Sequence, residues 1–173
     1  MVVTEHEAST FIQGYTQLMV HMYGPLPAKP KMELLAILAA ARAKYVADRS
    51  LLEGALRELK AKSITIAPEV ISAVQSLEVK KWVYLKDTSA YSVFIDPSAK
   101  VAYGVLGLTE KIRNIIGGSG VVVETGLLRY LGHYVTDGIV TNVVWLGRNY
   151  KKDFTNELAS FRAHGAFHKT YAP

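Results

Sequence analysis

Ser119-Gly-Val-Val-Val-Glu-Thr-Gly-Leu-Leu-Arg-Tyr-Leu-Gly-His-Tyr-Val-Thr-Asp-Gly-Ile-Val-Thr-Asn-Val-Val-Trp-Leu-Gly147 is the stretch whose reading decides the fold. Its valines, threonines and tyrosines predict two long β-strands, 120–135 and 138–147, joined at Thr136-Asp137-Gly138. Asp-Gly between β-rich runs is a strong hairpin signal, because a two-residue turn needs positive φ at its centre. The second half of the chain is therefore expected to be antiparallel sheet. Gly126 and Gly132 inside the first strand mark a bulge or bend. That strand is apolar on both faces: Leu128, Tyr130 and Tyr134 on one, Leu127, Leu131 and Val135 on the other. A strand covered on both sides in a small domain calls for helices over one face and further chain, or a second subunit, over the other.

Upstream of the hairpin, Trp82 to Lys86, Tyr91 to Ile95 and Lys100 to Leu106 are β-branched and aromatic runs. They are separated by turns at Asp87-Thr-Ser and Asp96-Pro97-Ser98. Such short connections force antiparallel pairing, since parallel strands need long crossovers. Thr109 opens a helix that reaches Ile116 and ends at Gly117-Gly118. Downstream, Asn149 caps a final helix with the stripe Tyr150, Phe154, Leu158 and Phe161, ended by Gly165.

The first third of the chain is helical. Thr4-x-x-Glu7 is a capping box, and Phe11, Ile12, Tyr15, Leu18, Met19 and Met22 recur at helical spacing up to Gly24-Pro25. Pro25 to Pro30 reads as a stiff, extended connector. Residues 31–62 carry a second stripe of Leu34, Leu38, Ala41, Tyr45, Leu52, Leu56 and Leu59. Unbroken, they would form a rod about 48 Å long, but the Ser50-x-x-Glu53 box favours a break near Asp48-Arg49-Ser50. Pro68-Glu69 starts a short helix through Leu77. The expected fold is α+β: a five-stranded antiparallel sheet with helices packed on one face, preceded by an N-terminal helical hairpin or arm. The expected division is an arm over 1–62 and an α+β domain over 63–173.

Composition narrows the chemistry. The chain has 173 residues, half of them apolar, and no cysteine. That removes disulfides, thiolate metal sites and thiol catalysis, and fits a reducing compartment. No basic segment leads into an apolar block at the N-terminus, and the longest apolar run, Leu34 to Ala41, is far short of the roughly 20 residues of a membrane helix. A cytoplasmic protein without membrane association is expected. The net charge is +5, and residues 148–173 hold five basic residues against two acidic.

Several clusters invite a functional reading. His133 with Asp137 or Glu124 has the makings of a general base and its orienting acid. In the plainer reading Asp137 serves the turn and His133 is a half-buried strand residue. Tyr130, Tyr134 and Arg129 on the first long strand are candidate ligand contacts, since tyrosine offers a large surface with a polar tip. Arg148, Lys151, Lys152, Arg162 and Lys169, interleaved with Tyr150 and Tyr171, are candidate contacts to nucleic acid or another anion, although no named nucleic-acid motif accompanies them. Gly117-Gly118-Ser119-Gly120 has the composition of a phosphate loop but follows a helix instead of leading into one, so it reads as a C-cap and turn. His164 and His168 have zinc-like spacing, but Gly165 breaks the helix between them; no metal and no cofactor is expected.

Three functions remain. The first is a non-enzymatic, homo-oligomeric interaction or regulatory module, with the helical arm as a surface for a protein partner. The second is a small-molecule sensor or binding domain with a pocket between sheet and helices. The third is a hydrolase or isomerase built on His133 with Asp137 or Glu124.

Overall fold

The computed structural model describes residues 1–25 and 33–172, so most of the expected Pro25–Pro30 connector lies outside the described residues. Two compact units emerge: His6–Gln75, and Met1–Glu5 together with Ser76–Pro173. The first is helical. It holds α1 (Glu5–Tyr23, of which Glu5 belongs to the second unit), α2 (Leu34–Ala47), α3 (Leu51–Ala61) and α4 (Pro68–Gln75). The break between α2 and α3 is where the capping pattern suggests, with Ser50 at the N-cap of α3, but the Ser50 side chain makes no cap bond to the helix and turns back to Asp48, the C-cap of α2. The Asp48 carboxylate accepts from the Ser50 amide at 3.0 Å and the Ser50 hydroxyl at 2.6 Å, and these bonds lower its pKa. The unit extends past residue 62 because α4 packs back into it. Val70 and Ile66 lie against Gly14, where a Cβ would meet them at 3.0 and 3.3 Å. The buried Tyr45 hydroxyl donates to the Val74 carbonyl at 3.1 Å.

The second unit is built from β1 (Glu78–Asp87), β2 (Ser92–Asp96), β3 (Val101–Leu106), α5 (Ile112–Ile116), β4 (Val121–Tyr130), β5 (His133–Trp145), α6 (Arg148–Ala163) and β6 (Phe167–His168). The α+β expectation holds, with six strands in place of five and a mixed sheet that is mostly antiparallel. Strands β1, β2 and β3 form a meander, β4 pairs with β1, and β5 pairs with β4. A short parallel pairing of β5 with β3, Val105 to Tyr134 and Leu106 to Val135, then closes the sheet on itself. The result is a five-stranded, partly open Greek-key barrel with a helix between β3 and β4, the connectivity of OB-type barrels.

Closure explains why β1 and β4 are apolar on both faces. Trp82, Tyr84, Phe94, Val105, Val121, Val123 and Leu127 fill the interior, and Ile112 and Ile116 of α5 pack against them. Val83, Leu85, Val93, Ile95 and Ala102 face outward and are covered by Leu158 and Phe161 of α6 and by Phe167. The C-terminal segment touches both strands flanking the open seam. β6 pairs with Ala102 and Tyr103 of β3, Thr170 bridges to His133, and the Tyr171 amide donates to the Gly132 carbonyl at 3.1 Å.

The β4–β5 turn is not at Thr136-Asp137-Gly138. Tyr130 pairs with His133, and the turn is Leu131-Gly132, with φ of 49° and 81°. Both central residues have the positive φ of a type I′ turn, yet leucine is a poor occupant of that region, which is why the pattern points elsewhere. Asp137-Gly138 instead forms a bulge opposite Gly126, where the pairing jumps from Leu127–Thr136 to Thr125–Val140. Moving the turn also separates the tyrosines: Tyr134 pairs with Arg129, while Tyr130 falls on the opposite face of the sheet.

Candidate functional site at the barrel mouth

Period-two alternation along β1 sends Glu78, Lys80 and Trp82 to the same side of the strand. Tyr103 of β3 and Arg129 and Tyr134 of the β4–β5 hairpin meet them there around a shallow cleft, with Ser76 and Leu127 at its edge. The cleft encloses about 30 Å³, room for one or two waters.

The walls are aromatic. Tyr103 stands edge-on to Trp82 at 5.9 Å and leans on Tyr134 at 4.8 Å; Tyr134 in turn meets Tyr171 at 5.9 Å, and His168 flanks Tyr103 at 5.8 Å. Trp82 is held from behind, its indole N–H donating to the Thr125 carbonyl at 3.0 Å. Among the described residues no hydrogen bond engages the Tyr103 or Tyr134 hydroxyl. Burial, reinforced by the Glu78 carboxylate and by Tyr134, raises the pKa of Tyr103, so its hydroxyl remains a donor through the neutral range.

Charge at the mouth is unevenly committed. Lys80 lies over the Trp82 ring at 4.5 Å and pairs with Glu78 at 2.9 Å and Asp96 at 2.5 Å. Burial disfavours the charge on both Lys80 and Asp96, but the pairing outweighs it. The Lys80 pKa is raised, and with further bonds from Ser98 and Ala99 the Asp96 carboxyl is held at about 2. Arg129 is exposed, has no ion pair among the described residues, and rests 5.9 Å from the Tyr171 ring.

Of the candidate ligand residues, Arg129 and Tyr134 line this cleft, while Tyr130 is buried on the other face. His133, Asp137 and Glu124 are not brought together. Along the hairpin His133 pairs with Tyr130, Asp137 lies in the bulge opposite Gly126, and Glu124 pairs with Thr141, which puts His133 about 20 Å from Glu124 along the strand. His133 is exposed beside the turn. Asp137 is buried, and one carboxylate oxygen accepts from the Ile139 amide at 3.1 Å, the Gly126 amide at 3.3 Å and the Thr125 hydroxyl at 3.4 Å. Glu124 accepts from the Asn142 side chain at 2.9 Å. Asp137 acts as a bulge cap.

The basic residues divide between the two ends of α6. Arg148, Lys151 and Lys152 stand at its start, with Lys151 lying over Gly120. Arg162 stacks on Phe167 at 5.1 Å and Lys169 on Tyr91 at 5.7 Å, about 20 Å further along the helix axis. The outer face of β2 and β3, which OB-type barrels commonly turn toward oligonucleotides or oligosaccharides, is covered by α6. Gly117 is the expected left-handed C-cap, its amide donating to Arg113.

Sequence reasoning passed over Glu78, Lys80, Trp82, Asp96 and Tyr103. The available signal was the alternation Glu78-x-Lys80-x-Trp82, two charges and an indole on one side of a strand. Among the described residues no group of histidines and acids is arranged to hold a metal, and no helix is long and apolar enough to cross a membrane. Comparison with protein families, curated proteins and solved structures finds no match to this chain.

Proposed function

We propose that the protein is a small-molecule binding module whose site is the barrel mouth, and that its ligand is a planar aromatic or heteroaromatic ring carrying a carboxylate or phosphate. One observation carries this reading: a row of aromatic rings, Trp82, Tyr103 and Tyr134, with the Arg129 guanidinium, which has no ion pair among the described residues, beside it. The ring of the ligand lies against Tyr103 and Tyr134, and Arg129 meets the anionic group. Lys80 is already neutralised by Glu78 and Asp96, so it shapes the site without competing for the anion. Barrel mouths are common ligand sites. The expected pocket thus moves from between sheet and helices to the end of the barrel. Binding is favoured over hydrolysis or isomerisation because the candidate acid–base residues stand apart.

Trp82 provides the test. Trp145 is the other tryptophan of the chain, so Trp145→Phe leaves an indole at the mouth as sole reporter. Titrating this variant with aromatic carboxylates and nucleoside monophosphates should change its emission saturably. Arg129→Ala should weaken binding about 10- to 100-fold, the effect of one lost charge-assisted hydrogen bond. No response across the panel, or binding indifferent to Arg129→Ala, would overturn the reading.

A further inference from the structure

We propose that Trp145 and Lys151, brought side by side on the Gly118–Gly120 loop, form a binding site for single-stranded nucleic acid, the indole stacking on a base and the ammonium meeting a phosphate. Trp145 ends β5 and is 61% exposed, yet its ring is not loose. Gly118 lies buried against it. A Cβ at Gly118 would stand 2.6 Å from Cη2 and 3.0 Å from Cζ3, the far rim of the indole, with Cζ2 next at 3.9 Å. The ring is therefore braced along its rim, and the surface it leaves in solvent includes a ring face. Two residues on, the stem of Lys151 crosses Gly120. A Cβ there would meet Cε and Cδ at 3.1 and 3.2 Å and Nζ at 3.0 Å. The two glycines are at most about 7 Å apart along the chain, so one loop seats an aromatic face and a cation together.

Charge complementarity selects the partner. Residues 138–152 hold Arg148, Lys151 and Lys152 and no carboxylate, and residues 111–123, which supply the loop, hold no carboxylate either. On α6 the three cations fall within about 100° of one another, whereas Asp153, the next acid, lies about 160° round the helix from Lys151. None of the three forms an ion pair among the described residues. A single strand offers what this loop is set to receive, an open base face and a phosphate at every step. A duplex keeps its base faces inside the stack. A bilayer is the poorer match, because α6 turns its apolar stripe onto the barrel through Leu158 and Phe161 and has no apolar face left to insert. The nucleic-acid contacts expected from the sequence are thereby divided. Arg148, Lys151 and Lys152 belong to this site, with Trp145 as their aromatic partner, while Arg162 and Lys169 stack on Phe167 and Tyr91. None of the site's residues lines the barrel mouth.

The test is fluorescence anisotropy of a dye-labelled oligothymidylate of about 12 nucleotides, titrated with the full chain at about 50 and 200 mM salt. Saturable binding that weakens with salt is expected. Trp145→Ala should weaken it about 10-fold, the effect of one lost stacking platform, and Trp145→Phe should keep most of the affinity. Lys151→Ala should lower the affinity and reduce the log–log salt slope by about 0.7. Trp145 and Lys151 are exposed, so these variants should keep the wild-type circular dichroism. Gly118 does not use a left-handed backbone, so Gly118→Ala fits the chain but pushes the indole rim off its seat. It should weaken binding with every contacting side chain still present. Arg129→Ala, at the barrel mouth, should leave the affinity unchanged. No binding at the lower salt would overturn the proposal, as would an affinity indifferent to Trp145→Ala or equal for a duplex of the same length. So would loss of binding in Arg129→Ala, which would place the strand at the mouth, or attachment to phosphatidylglycerol vesicles without binding to the oligonucleotide.

Discussion

Lys80 stands between two carboxylates, one mostly exposed on Glu78 and one buried on Asp96, and the buried partner sets the acid behaviour of the barrel. The Asp96 carboxyl sits at about 2 when folded against 3.8 ordinarily. A carboxyl with a depressed folded pKa stabilises the native state above its unfolded value and loses that contribution as pH falls through the folded one. Barrel stability should therefore be level above about pH 4 and fall by about 2 kcal/mol between pH 4 and 2. Asp96→Asn should cost about 2 kcal/mol at pH 7 and flatten that window; urea titrations at pH 7, 4 and 2.5 measure both. A second residue is fixed by space. Gly126 lies under the Asp137 carboxylate, and a Cβ there would collide with that group and stand 2.7 Å from Leu77 Cδ1. Gly126→Ala should destabilise the barrel by about 2 to 3 kcal/mol, since relief would break the bonds Asp137 makes across the bulge. An urea midpoint unchanged from wild type would refute this.

At the scale of elements, what was legible followed from local rules. Trp82–Lys86, Tyr91–Ile95 and Lys100–Leu106 were visible because alternation and Asp-rich turns are short-range signals; α2 and α3 separate at Asp48–Ser50 for the same reason. The unread features depend on distant partners. Closure rests on two residues of β3 meeting two of β5 in parallel, and β6 is two residues long; neither leaves a periodicity. The mouth was half legible. Arg129 and Tyr134 were singled out on their strand, but Trp82, Tyr103 and Glu78 join them only once the barrel closes. The β4–β5 turn misled because Asp137-Gly138 has the better turn chemistry, while Leu131 takes φ 49° at the actual turn. That mismatch makes a prediction. Leu131 is exposed at 45%, so Leu131→Asn gives up little burial and supplies a residue suited to that region. It should stabilise the barrel by about 0.5 to 1 kcal/mol, raising its melting temperature by about 2–4 °C. A lower melting temperature would mean that Leu131 contributes more as an apolar side chain than it costs as a turn residue.

For the whole molecule, the division into a helical unit and a barrel unit gives two optical windows. Both tryptophans, Trp82 and Trp145, belong to the barrel unit, and the helical unit has none. Tryptophan emission therefore follows the barrel, whereas the helical dichroism signal is dominated by α1 to α4 with a contribution from α6. Each unit has its own buried side chains: Leu18, Tyr45 and Leu59 in one, Trp82, Phe94 and Val123 in the other. Leu59 is 1% exposed, and truncating such a leucine costs about 2 to 5 kcal/mol through lost burial and the cavity left behind. In Leu59→Ala the helical signal should melt several degrees earlier than in the wild type, while the tryptophan transition keeps its midpoint. Val123→Ala should reverse the order, lowering the tryptophan midpoint by a comparable amount and sparing most of the helical signal. Coincident shifts of both signals in both variants would show that the two units unfold as one cooperative block. Ligand at the barrel mouth would then stabilise the helices as much as the strands.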